Sequence, residues 1–303
     1  MKKVFITGTT GFVGGHLKNH LTGKGYEVIA PTRNDLGDPF SVEAWRKALE
    51  KAECETVVHL IAKTHAADAG NPSALPSYRH INVDITKALL EASKDLGVKK
   101  FIYLSSIKAV GEETPIDEPF TEESPCRPED CYGISKKETE ELVLKYSRTI
   151  DTIILRPPMI YGPGVKGNFL KLMNAVKRGI PLPFASVRNA RSLVFVGNLS
   201  DAIEHIVESH LAGGSLFHIA DEETPSTPEL LKLMASALNV KPRVLPFSVT
   251  LLETLASMAG KQETIKKITR SLIVSSSKAS RNFDWKPFYS LQVGINQSLN
   301  IER

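Results

Sequence analysis

Tyr132 and Lys136 lie four residues apart in the run Asp130-Cys131-Tyr132-Gly133-Ile134-Ser135-Lys136. On a helix that spacing places them on one face, one turn apart. A free phenol ionises near pH ~10 and is a poor base at neutral pH. A neighbouring ammonium, together with a cationic ring bound close by, would favour the phenolate and lower that value. Tyr132 could then exchange a proton with a substrate hydroxyl while a hydride moves elsewhere in the same site. A Y-x-x-x-K spacing alone is common on exposed helices. It gains weight from Leu104-Ser105-Ser106, which ends an apolar run. Ser106 would hydrogen-bond the same carbinol oxygen, so the catalytic candidates are Ser106, Tyr132 and Lys136.

A second constellation stands at the amino terminus, in Thr7-Gly8-Thr9-Thr10-Gly11-Phe12-Val13-Gly14. Three glycines follow a strand and open a helix, the context that marks a dinucleotide turn. Gly8 permits the turn, Gly11 lets the backbone approach a diphosphate, and Gly14 lets helix and strand pack closely. The backbone N–H groups around Thr10, Phe12 and Val13 would then meet the phosphates with the helix dipole behind them. The spacing is G-x-x-G-x-x-G, not the commoner G-x-G-x-x-G. About twenty residues on, where cofactor choice is made, the sequence reads Ala30-Pro31-Thr32-Arg33-Asn34. Arg33 suits a 2′-phosphate and the nearest acid, Asp35, comes two residues later, so NADP(H) is favoured over NAD(H).

The elements that must position these residues alternate. Short β-branched or aromatic runs at 4–7, 27–30, 56–61, 100–105 and 152–155 are separated by helical patterns, among them 14–25, 83–96 and 132–146. Such alternation implies right-handed βαβ crossovers and a parallel sheet covered on both faces, an α/β Rossmann fold of the doubly wound kind. After Pro157 prolines and glycines multiply, and helical patterns return at 228–238 and 248–259. The spacing predicts a dinucleotide-binding domain over 1–160. A smaller, mainly substrate-binding portion over 161–303 would pack on the ligand edge of the sheet, with the chain free to cross back.

Composition excludes more than it assigns. With 42% apolar and 24% charged residues the chain reads as an ordinary globular protein. A net charge of +4 fits an anionic small molecule and gives no sign of a nucleic-acid partner. Cys54, Cys126 and Cys131 match neither a zinc site nor a disulfide framework, and the histidines fall at no ligand spacing, so no metal is expected. No apolar run is long enough to span a bilayer, and the cytoplasm is the expected compartment. The helix at 248–259, with Lys261, Lys266, Lys267 and Arg270 nearby, is expected to bury its apolar face and keep charge outside, with no membrane partner. Glu112 and Glu113 are expected in a solvated loop.

Glycine turn, Ser106, Tyr132 and Lys136, in this order, resemble the extended short-chain dehydrogenase/reductase family over essentially the whole chain. Within it the chain is similar to the nucleotide-sugar group of UDP-hexose 4-epimerases and 4-keto-sugar reductases. Supporting segments are Val58-His59-Leu60-Ile61-Ala62, Asn82-Val83, Ser105-Ser106-Ile107-Lys108-Ala109-Val110-Gly111, and Arg156-Pro157-Pro158 followed by Ile160-Tyr161-Gly162-Pro163-Gly164. The serine-containing run looks most like UDP-N-acetylhexosamine reductases or epimerases of bacterial surface-polysaccharide synthesis. The resemblance implies that Leu60 and Ala62 line the cofactor and that Asn82 supports the catalytic framework. It also implies that Asn168 and Arg191 contact a nucleotide diphosphate, and that helices 83–96 and 132–146 form a homodimer. Two positions depart from the pattern: Val110 where epimerases usually carry tyrosine, and Cys131 where proline is usual.

Overall fold

The structure is a computed structural model that describes residues 2–64 and 68–299. Strand β1 (Lys3–Thr7) leads through the glycine turn into α1 (Phe12–Gly23), then β2 (Glu27–Ile29). A short α2 (Arg33–Leu36) and α3 (Val42–Ala52) carry the chain to β3 (Thr56–His59). Helix α4 (Leu75–Arg79) runs through a π-helical turn (His80–Asp84) into α5 (Ile85–Asp95), β4 (Lys100–Leu104), α6 (Cys131–Leu144) and β5 (Asp151–Arg156). The chain then leaves the sheet for β6 (Met159–Tyr161), α7 (Gly167–Lys177) and β7 (Leu193–Phe195). It returns through α8 (Val196–Glu208) to β8 (Ser215–His218). Helices α9 (Thr227–Ala237), α10 (Val249–Met258), α11 (Gln262–Thr269), α12 (Ser277–Phe283) and α13 (Leu291–Leu299) complete it.

The main sheet has six strands in the order β2-β1-β3-β4-β5-β8, and every pairing is parallel. Parallel strands need crossovers, and the helices supply them on both faces. Alternation along β1 sorts the two cores: Val4 and Ile6 face a cluster with Leu17, Leu21, Leu199 and Ile203, whereas Phe5 faces Trp45, Leu49, Leu89 and Phe101. In α5 the buried residues Ile85, Ala88, Leu89 and Ala92 recur at helical spacing and form one stripe against that second core. Strand order reverses at β1, with β2 on one side and β3 on the other. Ligands of open α/β sheets bind at the carboxyl ends beside such a reversal.

The sixth strand, β8, lies well beyond the first five in sequence and pairs with β5 over Ile153–Arg156 and Ser215–His218. Sequence periodicity left this strand among the loop-rich residues. Beyond it a third cluster joins Tyr161, Phe169, Phe195, Leu231, Met234 and Ile295, with Phe12 of α1 packed against it. Buried Asp221 fastens this portion by accepting hydrogen bonds from Tyr161 Oη, Phe195 N and Asn198 Nδ2. Helix α10 departs from expectation: Ala256 is buried, but Leu251, Leu255 and Met258 face outward. Its apolar residues encircle the helix, and only one stripe finds a neighbour. Among the described residues no helix is long and apolar enough to cross a membrane.

At the carboxyl end of β5, Arg156 forms a buried ion pair with Glu140 of α6, Nη2 to Oε2 at 2.6 Å and Nε to Oε1 at 2.8 Å. Ser105 donates to the same carboxylate at 2.5 Å. Removing one member leaves an unpaired charge in a dry interior. Glu140→Gln is expected to cost about 3–5 kcal/mol in urea unfolding, and a loss below about 1 kcal/mol would show that the pair is solvated.

Candidate active site

At the carboxyl end of β1, Gly8 has φ 75° and sits against the backbone of Leu60 and Ile61, the exit of β3. A methyl group at Gly14 would collide with the Gly8 carbonyl oxygen. Gly8 and Gly14 are therefore required by the backbone itself, as their spacing predicted. Gly11 is the N-cap of α1 and offers no capping side chain, so the first-turn amides of α1 have no partner within the helix. The turn and Leu60 thus form a backbone cradle at the strand-order reversal.

A line of buried hydrogen bonds runs from that cradle. Leu60 N–H donates to Thr7 Oγ1 at 3.2 Å, and Thr86 Oγ1 donates to the Asn82 carbonyl at 2.6 Å. Between them His59 bridges Thr7 and Thr86, at 2.7 Å through Nδ1 and 2.9 Å through Nε2. Because the Thr86 proton is committed to a carbonyl, Thr86 accepts from His59 Nε2–H, and Nδ1 accepts from Thr7. Burial, with Lys136 adding to it, lowers His59 to about 3, so the ring is neutral. Asn82 continues the line: Oδ1 accepts from Lys63 N at 2.6 Å, while Nδ2 donates to Lys63 O at 3.1 Å and Ser135 Oγ at 2.8 Å. Ser135 then donates to the Tyr132 carbonyl at 2.8 Å. Asn82 sits on the π-helical turn, an irregularity often found at functional sites.

That line ends at the catalytic candidates, which the structure brings together. Tyr132 shares a side-chain hydrogen bond with Ser106, just past β4. Lys136 is buried on the next turn of α6, and its Nζ lies 5.9 Å from the Tyr132 ring centre. The ammonium donates to Leu104 O at 2.7 Å and Tyr103 Oη at 3.0 Å. Burial dominates the electrostatics of the pair. Burial raises Tyr132 above its ordinary value, outweighing the hydrogen bond from Ser106, and Asp130 and Tyr78 push the same way. Burial also lowers Lys136 to about 7, against the pull of Glu140. Desolvation disfavours both charged forms.

Several positioning residues escaped the sequence reading. Asp130 caps α6 by accepting from Gly133 N at 2.8 Å, and its carboxylate pairs with Lys108. A Cβ on Gly133 would strike the Lys108 carbonyl, so this glycine lets α6 approach the Ser106 turn. The available signal was an aspartate three residues before a glycine, an N-cap spacing. Glu112 was expected to be solvated, yet it pairs with Lys108 at 2.7 Å and Lys267 at 3.6 Å.

A family model described as the NAD dependent epimerase/dehydratase family matches residues 4–220. The chain belongs to that family. It is 35% identical to a UDP-glucose 4-epimerase of Vibrio cholerae, over 98% of this chain and 94% of that one. It is 26% identical to a GDP-6-deoxy-D-mannose reductase of Pseudomonas aeruginosa, covering 98% and 95%. The solved UDP-glucose 4-epimerase of Thermus thermophilus in complex with NAD has the same fold, with a TM-score of 0.77, 23% identity and coverage of 98% and 97%. The chain is thus an enzyme of the epimerase/dehydratase family. The cradle fits a nicotinamide dinucleotide: the two glycines hold the backbone open and the uncapped end of α1 faces the same edge.

The remaining site candidates are more scattered. Arg33 is exposed on α2, while Asp35 is held by Thr32, accepting from its backbone N at 2.8 Å and its hydroxyl at 2.7 Å. Ala62 follows Leu60 on the exit of β3, half-buried. Asn168 is exposed on the first turn of α7, whose preceding turn is tied to α1 by His16 Nε2 donating to Pro163 O at 2.8 Å. Arg191 is half-buried, donates to Arg270 O at 2.9 Å, and feels the Glu112 carboxylate. A surface cleft among Lys24, Glu204, His205, His210 and Phe283 lies at the far ends of α1 and α8, away from this chemistry. There His20, Asp201 and Glu204 bring ligand-type atoms together, but Glu204 already pairs with His20 and Lys24 and Asp201 accepts from Trp285. No metal is assigned.

Between about 7 when folded and its ordinary 10.5, Lys136 binds fewer protons in the folded chain than in the unfolded one. Its contribution to stability therefore rises with pH across that window and is most unfavourable below it. Lys136→Met is expected to gain stability relative to the native chain near neutral pH, with the difference shrinking as pH approaches 10. Urea unfolding across this range measures it; a difference independent of pH would show that Lys136 stays charged when folded.

Proposed function

We propose that this enzyme moves a hydride between a nicotinamide dinucleotide and C4 of a UDP-hexose. NADP(H) is favoured over NAD(H), and reduction of a 4-keto sugar over epimerisation. The observation that carries the reading is the linked trio Ser106, Tyr132 and Lys136 at the carboxyl end of β4, beside the glycine cradle. When bound, the dinucleotide supplies or accepts the hydride. Ser106 would hold the C4 oxygen, and Tyr132, kept protonated by burial, is suited to give that oxygen a proton. Arg33, exposed beyond β2 with Asp35 turned back into its capping role, supports a 2′-phosphate.

Leu60, Ala62, Thr10, Phe12 and Val13 belong to the cofactor side of this proposal, Asn168 and Arg191 to the diphosphate of the nucleotide sugar. Residues 1–160 would mainly bind the dinucleotide and 161–303 the sugar nucleotide. A homodimer through α5 and α6, whose carboxyl ends expose Leu96 and Leu144, and a cytoplasmic location complete the reading. A second reading, 4-epimerisation with retained NAD, is favoured by the full-length likeness to the Vibrio cholerae UDP-glucose 4-epimerase.

Mass identification of the copurifying dinucleotide, followed by a UDP-sugar panel with and without NADPH, separates the two. The reductase is expected to consume NADPH stoichiometrically; tightly bound NAD with interconversion of UDP-sugars and no NADPH use would establish the epimerase. Tyr132→Phe is expected to lower turnover by about 10²–10⁴-fold with little change in dinucleotide binding. Full activity in that variant would remove Tyr132 from the chemistry.

A further inference from the structure

We infer that the outward face of α10, with the cations around it, docks on an anionic lipid bilayer surface. Leu251, Leu255 and Met258 recur at i, i+4 and i+7 and are 47%, 50% and 82% exposed. Leu245 and Ile180 add 51% and 45%. Their segments are stitched together: Leu182 N donates to Arg243 O, Leu245 N to Leu182 O and Ala185 N to Leu245 O, each at 2.8–3.0 Å. The inward residues of these pieces, Leu182, Val244, Val249 and Leu252, all pack on one cluster, which sets the outward residues on one corner. Scattered exposed leucines are ordinary. Here, however, five of the eleven exposed large apolar side chains among the described residues share a corner, the pattern of an interaction surface.

Charge decides what covers it. Of the chain's 38 basic and 34 acidic residues, segments 177–188 and 241–270 hold nine basic and two acidic; Lys266, Lys267 and Arg270 among them line a cleft with Glu112, Glu113 and Glu129, so the uncompensated positive charge rests on the remaining cations of these segments. Both acids are engaged within the fold, Glu253 by Thr269 and Arg270 and Glu263 by Lys266. Arg178, Lys241, Arg243 and Lys261 are exposed and have no carboxylate partner among the described residues. A second copy using the same face would bring these cations together. An anionic leaflet satisfies both halves of the surface, taking the leucines into its interface and the cations to its headgroups. The helix lies on the surface and does not span it.

Flotation of the full chain with phosphatidylcholine vesicles, and with vesicles also containing phosphatidylglycerol, tests this independently of turnover. The chain is expected to float with the anionic vesicles only, less so as salt rises. The double variants L255E/M258E and K241E/R243E are each expected to bind at least about tenfold more weakly. All four positions are exposed, and circular dichroism with dinucleotide binding verifies the fold of each variant. No flotation with anionic vesicles, or flotation of both variants equal to that of the parent, overturns the inference. So does self-association in sedimentation velocity that L255E/M258E abolishes without any vesicle binding, because a second copy would then be the occupant.

Discussion

The side-chain amide of Asn82 is the interaction on which the arrangement of the site depends. Its oxygen and both its N–H groups are used, two against the Lys63 backbone and one against Ser135. A buried amide with an unused donor or acceptor is costly, so full satisfaction fixes the distance between the exit of β3 and α6. The same residue's carbonyl ends the line through Thr86, His59 and Thr7 to Leu60. One residue thus couples the place where a dinucleotide would lie to the place where a proton would move. The fold contributes the rest by aligning the carboxyl ends of β1, β3 and β4 along one edge.

Burial then sets the chemistry. Tyr132 and Lys136 stand close enough to influence each other, yet both are pushed towards neutrality because each lost its water. His59, also neutral and fully buried, cannot serve as a base. Its place is structural.

Local necessity made part of this legible in the sequence. Gly8 and Gly14 are read directly because backbone contact leaves no room for a side chain, and the four-residue spacing of Tyr132 and Lys136 survives because α6 is regular. The line through Thr7, His59, Thr86 and Asn82 joins residues far apart in sequence, and no periodicity announces it. Glu112 was misread because one of its partners, Lys267, comes from far along the chain, although the i, i+4 spacing to Lys108 was there to be read. The weight of burial on Tyr132 was not legible for a related reason: a sequence gives neighbours in charge, but not how much water the fold removes. In α10 the residue types were clear, and which stripe would find a partner was not.

Strand β8 has a consequence for how the molecule comes into being. Its pairing with β5 brings together segments about sixty residues apart, with β6, α7, β7 and α8 folded between them. Closing so large a loop gains nothing until the last contacts form, which places this edge among the slow steps of assembly. Until it closes, the backbone groups of β5 stand unpaired along an open edge. A nascent chain released before Ser215 would carry the complete glycine cradle and α6 on a sheet with that flank bare. Such a fragment is a candidate for aggregation rather than for a smaller working enzyme.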